Sequence, residues 1–146
     1  VKSGPVEVGS ENAQEMLGII ANTDRGIPVV FAKKGDHRNV GHDVYTAQVY
    51  SFTHQTMNTV RVSRKYLPAG ARVLIIDDFL KGGGTAKGMV DLMHEFNVEV
   101  VGIGFVMATA HPEKKRIQGE KSLMVMEITQ DENPVAKITP ADWLKG

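Results

Sequence analysis

Residues 73–88 read Val-Leu-Ile-Ile-Asp-Asp-Phe-Leu-Lys-Gly-Gly-Gly-Thr-Ala-Lys-Gly, and they hold most of the chemistry this sequence offers. An apolar run leads into the carboxylates Asp77 and Asp78, then into Lys81, the glycines Gly82, Gly83 and Gly84, and Thr85. Glycine has no Cβ, so the backbone there can close on an anion. If a helix starts after the glycines, the N–H groups of Gly83, Gly84 and Thr85 lack intrahelical acceptors. They then meet a phosphate at the positive end of the helix dipole. Thr85 adds a hydroxyl donor, and Lys81 stands where it can assist. The carboxylates just upstream suit the vicinal hydroxyls of a sugar. A phosphate and a diol held together describe a ribose 5-phosphate. Two commoner phosphate loops are excluded: the Walker Gly-Lys-Ser/Thr is missing, and the dinucleotide fingerprint does not place carboxylates before its glycines.

Such a segment needs a sheet to hold it, because ligands of open parallel sheets bind beyond the carboxyl ends of strands. Three apolar runs without alternation, 28–32, 72–76 and 98–107, are predicted as strands buried on both faces. Asp77 and Asp78 are expected to stop the second. Residues 44–52 alternate and pair with 58–63 as a hairpin, and 68–70 form a turn. Residues 33–43 are polar and read as a loop. Helices are predicted over 11–21, capped by Ser10 or Asn12, and over 86–96. The second puts Met89, Val90, Leu92, Met93 and Phe96 on one apolar face. Shorter strand patterns occupy 123–128 and 135–138. The expected fold class is α/β, a parallel sheet flanked by helices in a single domain, 1–146.

The totals narrow the functions available. Lys plus Arg and Asp plus Glu are both 17, so the net charge is zero, which argues against wrapping a nucleic-acid backbone. Cysteine is absent, excluding disulfides and thiolate metal sites. No apolar run has the length of a membrane span, and the first residues do not form a secretory signal, so the expected location is cytoplasmic. None of His37, His42, His54, His94 and His111 has a metal-ligand spacing.

The order of residues 73–85 resembles the phosphoribosyl pyrophosphate (PRPP) motif of type I phosphoribosyltransferases. Three further stretches resemble bacterial xanthine phosphoribosyltransferases. They are Gly-Ile-Pro-Val-Val-Phe-Ala-Lys-Lys at 26–34, Tyr-Ser-Phe-Thr-His-Gln-Thr at 50–56 and Val-Gly-Ile-Gly-Phe-Val at 101–106. Adenine phosphoribosyltransferases and the purine-operon repressors of Gram-positive bacteria share part of the pattern.

The resemblance implies a type I phosphoribosyltransferase fold. It implies transfer of ribose 5-phosphate from PRPP to a purine, xanthine foremost, with release of pyrophosphate in purine salvage. By the same resemblance, Asp77 and Asp78 hold the ribose hydroxyls, partly through Mg²⁺, and Lys81, Gly82, Gly83, Gly84 and Thr85 hold the 5-phosphate. Lys33 and Lys34 meet pyrophosphate, in the family often across the interface of a homodimer. Residues 35–49 match a mobile loop that closes over the reaction, with Tyr50 and Ser51 at its base. The alternative is a PRPP-sensing effector domain of a purine-operon repressor, which does not catalyse.

The chain departs from the pattern in three places. Gly82 stands where the family has Thr. Glu-Asn-Ala-Gln at 11–14 lacks the glycine of the family's pyrophosphate loop, leaving only Asn12 and Ala13 as candidates there. The segment forming much of the family's base-binding hood falls upstream of Val1. The hood is therefore expected to be reduced or missing, with residues 105–109 a partial substitute and the choice of base open. Trp143 either completes the hood or packs an end strand.

Overall fold

The computed structural model describes residues 6–10, 28–34, 44–51 and 55–145. Its elements are β1 (Val6–Ser10), β2 (Val29–Lys34), β3 (Val44–Ser51), β4 (Thr56–Ser63), β5 (Arg72–Leu80), α1 (Gly84–Glu95), β6 (Glu99–Thr109), β7 (Glu120–Ile128) and β8 (Ala136–Pro140). They form one sheet in the order β3-β4-β2-β1-β5-β6-β7-β8. The run β2-β1-β5-β6-β7 is parallel, as the unalternating apolar segments require. The outer strands differ: β4 is antiparallel to β2 and β3, and β8 is antiparallel to β7.

Several boundaries move from the sequence-based expectation. β1 was not foreseen, yet it pairs with β2 and β5 near the middle of the sheet. β5 does not stop at Ile76. Asp77, Phe79 and Leu80 pair with Phe105, Met107 and Ala108 of β6, so the ladder carries the acids inside the strand. Tertiary pairing overrides the poor strand propensity of aspartate there. Lys33 and Lys34 likewise belong to β2, paired with Arg61 and Val60 of β4. Residues 44–49 form strand β3, with Tyr45 and Val49 buried, as their alternation predicts and in place of the mobile loop that the resemblance implies. The helix expected over 11–21, the loop residues 35–43, Asn12, Ala13, His37, His42 and His54 lie outside the described residues.

α1 covers one face of the sheet. It buries Ala86, Met89, Leu92 and Met93 in a cluster with Val49, Val60, Val62, Val73 and Ile75. Gly88 lets α1 approach β3 closely, because a Cβ there would overlap Val49 Cγ1. Gly88→Ala is expected to destabilise the fold. Overpacking a core costs about 1–3 kcal/mol, against a helix-propensity gain of at most about 1 kcal/mol. At about 3 °C per kcal/mol for a chain of this length, the thermal midpoint should fall by several degrees. A raised midpoint would show that Val49 yields freely.

On the other face, Gly102 and Gly104 leave an apolar hollow of about 490 Å³, lined also by Leu74, Ile76, Leu123 and Trp143. Trp143 Nε1 donates to the Ser122 carbonyl (2.6 Å), so this side chain packs on β7, one strand in from the sheet edge. None of residues 77–85 lines the hollow. Among the described residues no helix is long and apolar enough to cross a membrane.

Candidate functional site

The sheet register decides what can meet. Gly9 of β1 is level with Phe31 of β2 and with Ile76 of β5. β1 therefore ends, at Ser10, about level with Asp77. Lys33 and Lys34 on one side, and Asp78 to Leu80 on the other, run past that end. Two strand spacings, about 10 Å, separate the two rows across the gap. β1 leads to β2 on one side, and β5 leads through α1 to β6 on the other. Connections leaving in opposite directions open a crevice beyond the strand ends, where open α/β sheets bind ligands.

β3 is antiparallel to β4, and β4 to β2, so β3 runs in the direction of β2. Its carboxyl end, Tyr50 and Ser51, thus lies at the same edge of the sheet. It is on the outermost strand, however, with β4, β2 and β1 between it and β5. Arg61, level with Lys33 and Thr46, has a buried Nε without a hydrogen-bond partner among the described residues.

The two acids differ. Asp77 shares its side of β5 with buried Val73 and Ile75 and is 7% exposed, whereas Asp78 is exposed. Neighbouring residues of a strand face opposite ways, so this split follows once the strand continues through them. Asp77 Oδ1 accepts the N–H of Asp78 at 2.9 Å, which orients the buried carboxylate against the backbone of the exposed one.

The glycine loop does form a cup at a helix start. Gly83 caps α1 in the left-handed region (φ 84°, ψ 13°), with no side-chain cap hydrogen bond. The Lys87 N–H donates to the Gly83 carbonyl at 2.8 Å, closing the first turn. The N–H groups of Gly84, Thr85 and Ala86 consequently have no intrahelical acceptor. The first turn carries no acidic residue, leaving the positive end of the dipole open to an anion. Lys81 is exposed beside it. The glycine at 83 serves a different purpose from the one expected. A Cβ there would meet Arg116 N at 3.2 Å, and Ile117 Cγ1 and Leu80 Cδ1 at 3.5 Å, so it faces protein rather than an incoming anion.

Those contacts reveal a wall that sequence reasoning missed. The segment between β6 and β7 folds behind the cup, and the Arg116 N–H donates to the Gly82 carbonyl at 3.0 Å. Ile117 is buried beneath Gly83. Lys115 Nζ donates to the Thr109 carbonyl (2.8 Å), to Thr109 Oγ1 (3.3 Å) and to the Pro112 carbonyl. Burial pushes the Lys115 ammonium below the usual lysine range, with the charge of Glu120 opposing the shift. The run Lys114-Lys115-Arg116 was the available signal, but nothing local ties it to residues thirty positions earlier.

No group of three or more His, Cys, Asp or Glu gathers among the described residues to hold a metal by protein ligands alone. An exposed Asp78 beside a buried Asp77 suits Mg²⁺ better, since that ion commonly takes one or two carboxylates and completes its shell with phosphate oxygens and water.

Comparison with known proteins agrees with this geometry. The phosphoribosyl transferase domain family matches residues 1–137. A xanthine phosphoribosyltransferase of Acinetobacter baumannii (strain ACICU) is 38% identical over 112 residues, which are 77% of this chain and 59% of that one. One from Lactobacillus delbrueckii subsp. bulgaricus is 46% identical over 93 residues, 64% of this chain and 49% of the relative. The chain thus spans about half the length of the curated relatives it matches. Among solved structures, an adenine phosphoribosyl transferase from Trypanosoma brucei in complex with AMP, pyrophosphate and ribose-5-phosphate superposes with a TM-score of 0.67. Its identity is 16%, over 84% of this chain and 56% of that one, a likeness of fold. The sheet order, the acid-to-glycine segment at its carboxyl edge and the family match lead to one assignment: the chain belongs to the phosphoribosyl transferase domain family and has the type I α/β fold.

Proposed function

We propose that this protein transfers ribose 5-phosphate from PRPP to a purine base, xanthine foremost, with release of pyrophosphate. The observation that carries the reading is the crevice beyond β1, with Asp78 and the open α1 N-terminus on one side and the Lys33–Lys34 end of β2 on the other. In this reading Lys81, Gly82, Gly83, Gly84 and Thr85 cradle the 5-phosphate, and Asp78, braced by Asp77, takes the ribose hydroxyls. Lys33 and Lys34 receive the pyrophosphate, while Tyr50 and Ser51 border the site from the outer strand. Asp77 and Asp78 would hold Mg²⁺, which when bound would supply positive charge beside the pyrophosphate. No side chain need act as a nucleophile. Charges fixed where the leaving group develops its own lower the barrier, and the bound 5-phosphate supplies remote binding energy. The names of the bacterial relatives support the purine, and the three ligands of the trypanosomal enzyme are pieces of the same reaction. Residues 1–146 form one phosphoribosyltransferase domain, acting in the cytoplasm as a homodimer and, through this segment, without nucleic acid or membrane as partner.

The test supplies PRPP and Mg²⁺ with xanthine, guanine, hypoxanthine and adenine in turn and measures nucleotide and pyrophosphate formed. Turnover is expected to be fastest with xanthine. PRPP binding without nucleotide from any base would identify the PRPP-sensing module instead. Within the same assay Lys33→Ala or Lys34→Ala should lower kcat by about tenfold or more, with a smaller change in KM for PRPP. Contacts that strengthen as the leaving group gains charge act on turnover first. An unchanged kcat would remove the lysines from the pyrophosphate site.

A further inference from the structure

We propose that Lys115 is a positioning residue for the phosphate cup, acting through the segment from Thr109 to Ile117; the inference rests on the reading of residues 82–85 as that cup. The chain of contacts begins at the ammonium. Lys115 reaches back to the Thr109 carbonyl and hydroxyl and to the Pro112 carbonyl, closing the segment on itself. The Thr109 hydroxyl in turn lies 2.7 Å from the His111 carbonyl and 3.5 Å from the Leu80 carbonyl, at the last residue of β5. One cation therefore gathers the carbonyl groups at the start of this segment and anchors it where β5 gives way to the glycine loop.

The residue after Lys115 makes the contact that matters. Arg116 donates its N–H to the Gly82 carbonyl. The only cis peptide among the described residues is His111–Pro112, so the Gly82–Gly83 peptide is trans. In a trans peptide the C=O and the following N–H point in opposite directions. Tying the Gly82 carbonyl to the wall thus aims the Gly83 N–H away from it, towards the open side of the cup. Ile117 and Leu80 close the space behind Gly83, holding it in its left-handed conformation. Lys115 also pairs with neutral acceptors at half-burial, and burial weakens its hold on the proton. A partly buried ammonium that gathers three oxygens of one turn gives that segment a fixed shape.

The experiment compares the wild type with Lys115→Met, Lys115→Arg and Thr109→Val, using two separate ligands in calorimetric titrations: ribose 5-phosphate and pyrophosphate. Lys115→Met should weaken ribose 5-phosphate about tenfold while pyrophosphate, read at the β2 side of the crevice, stays within about twofold. Lys115→Arg should recover much of the loss, since it keeps the charge and the donors. Equal weakening of both ligands together with a lowered melting temperature would reduce Lys115 to general stability and overturn the proposal. So would ribose 5-phosphate binding to Lys115→Met as it does to the wild type. If Lys115→Met does not fold, Thr109→Val decides. It removes one acceptor of the ammonium, and it should show the same selective loss in smaller degree; no selectivity overturns the proposal. Failure of the underlying reading looks different, because then the wild type itself does not bind ribose 5-phosphate.

Discussion

Gly83→Val is expected to abolish the protection that ribose 5-phosphate gives against thermal unfolding. In the wild type, ligand at a hundred times its Kd adds about 2.7 kcal/mol of stability. That raises the midpoint of a chain this long by roughly 8 °C. Valine at position 83 fails twice. Its backbone would have to hold φ near 84°, a region that costs an L-residue about 1–2 kcal/mol and a β-branched one more. Its side chain would press on Arg116 N, Ile117 and Leu80. Either relief, turning the Gly83 backbone or pushing the wall away, misdirects the amides of the cup. The variant itself should melt several degrees lower. Gly83→Ala, strained but slim, should fall between the two. Equal protection of wild type and valine variant would place the phosphate elsewhere.

The double change Asp77→Asn, Asp78→Asn should weaken PRPP with Mg²⁺ by at least about a hundredfold. Charge-assisted hydrogen bonds are worth about 1.5–3 kcal/mol each, and both the sugar and its metal lose a charged partner. The single variants should separate the two roles. Asp78 is exposed, so its amide costs affinity and leaves the melting temperature unchanged. Asp77 is buried and accepts the Asp78 N–H, a bond that an asparagine oxygen can keep. Its replacement should therefore preserve the fold while removing the charge that steadies the site. Calorimetric titration checks all three, and unchanged affinity in the double variant would sink the assignment of the acids.

How far these positions could be read beforehand depends on the range of the interaction involved. The acids, the glycines and the apolar stripe of α1 are local patterns, and the structure keeps them in sequence order at a helix start. β1 was missed because Val-Glu-Val-Gly-Ser is five residues long and offers only two bulky apolar residues, whereas its identity as a strand comes from neighbours on both sides. The end of β5 was placed four residues early because aspartate is a poor strand former, while pairing with β6 decides the matter. That misplacement also concealed the burial difference between Asp77 and Asp78, which follows only once both are inside the strand. The wall of residues 109–117 lies beyond any local pattern. Its link to Gly82 joins segments more than thirty residues apart through a backbone N–H, which every residue but proline possesses.

The missing side-chain cap on α1 has a consequence for how the molecule can be watched. Most helices carry their own terminator in Ser, Thr, Asp or Asn; here the position is glycine, and the open donors at residues 84–86 wait for acceptors from outside the chain. A bound phosphate finishes the helix, so occupancy and order of the first turn become one equilibrium. The amide protons of Gly84, Thr85 and Ala86 should therefore exchange with solvent more slowly as phosphate ligand is added, in step with saturation. Those near the other end of α1, such as Met93 in the core, should scarcely respond.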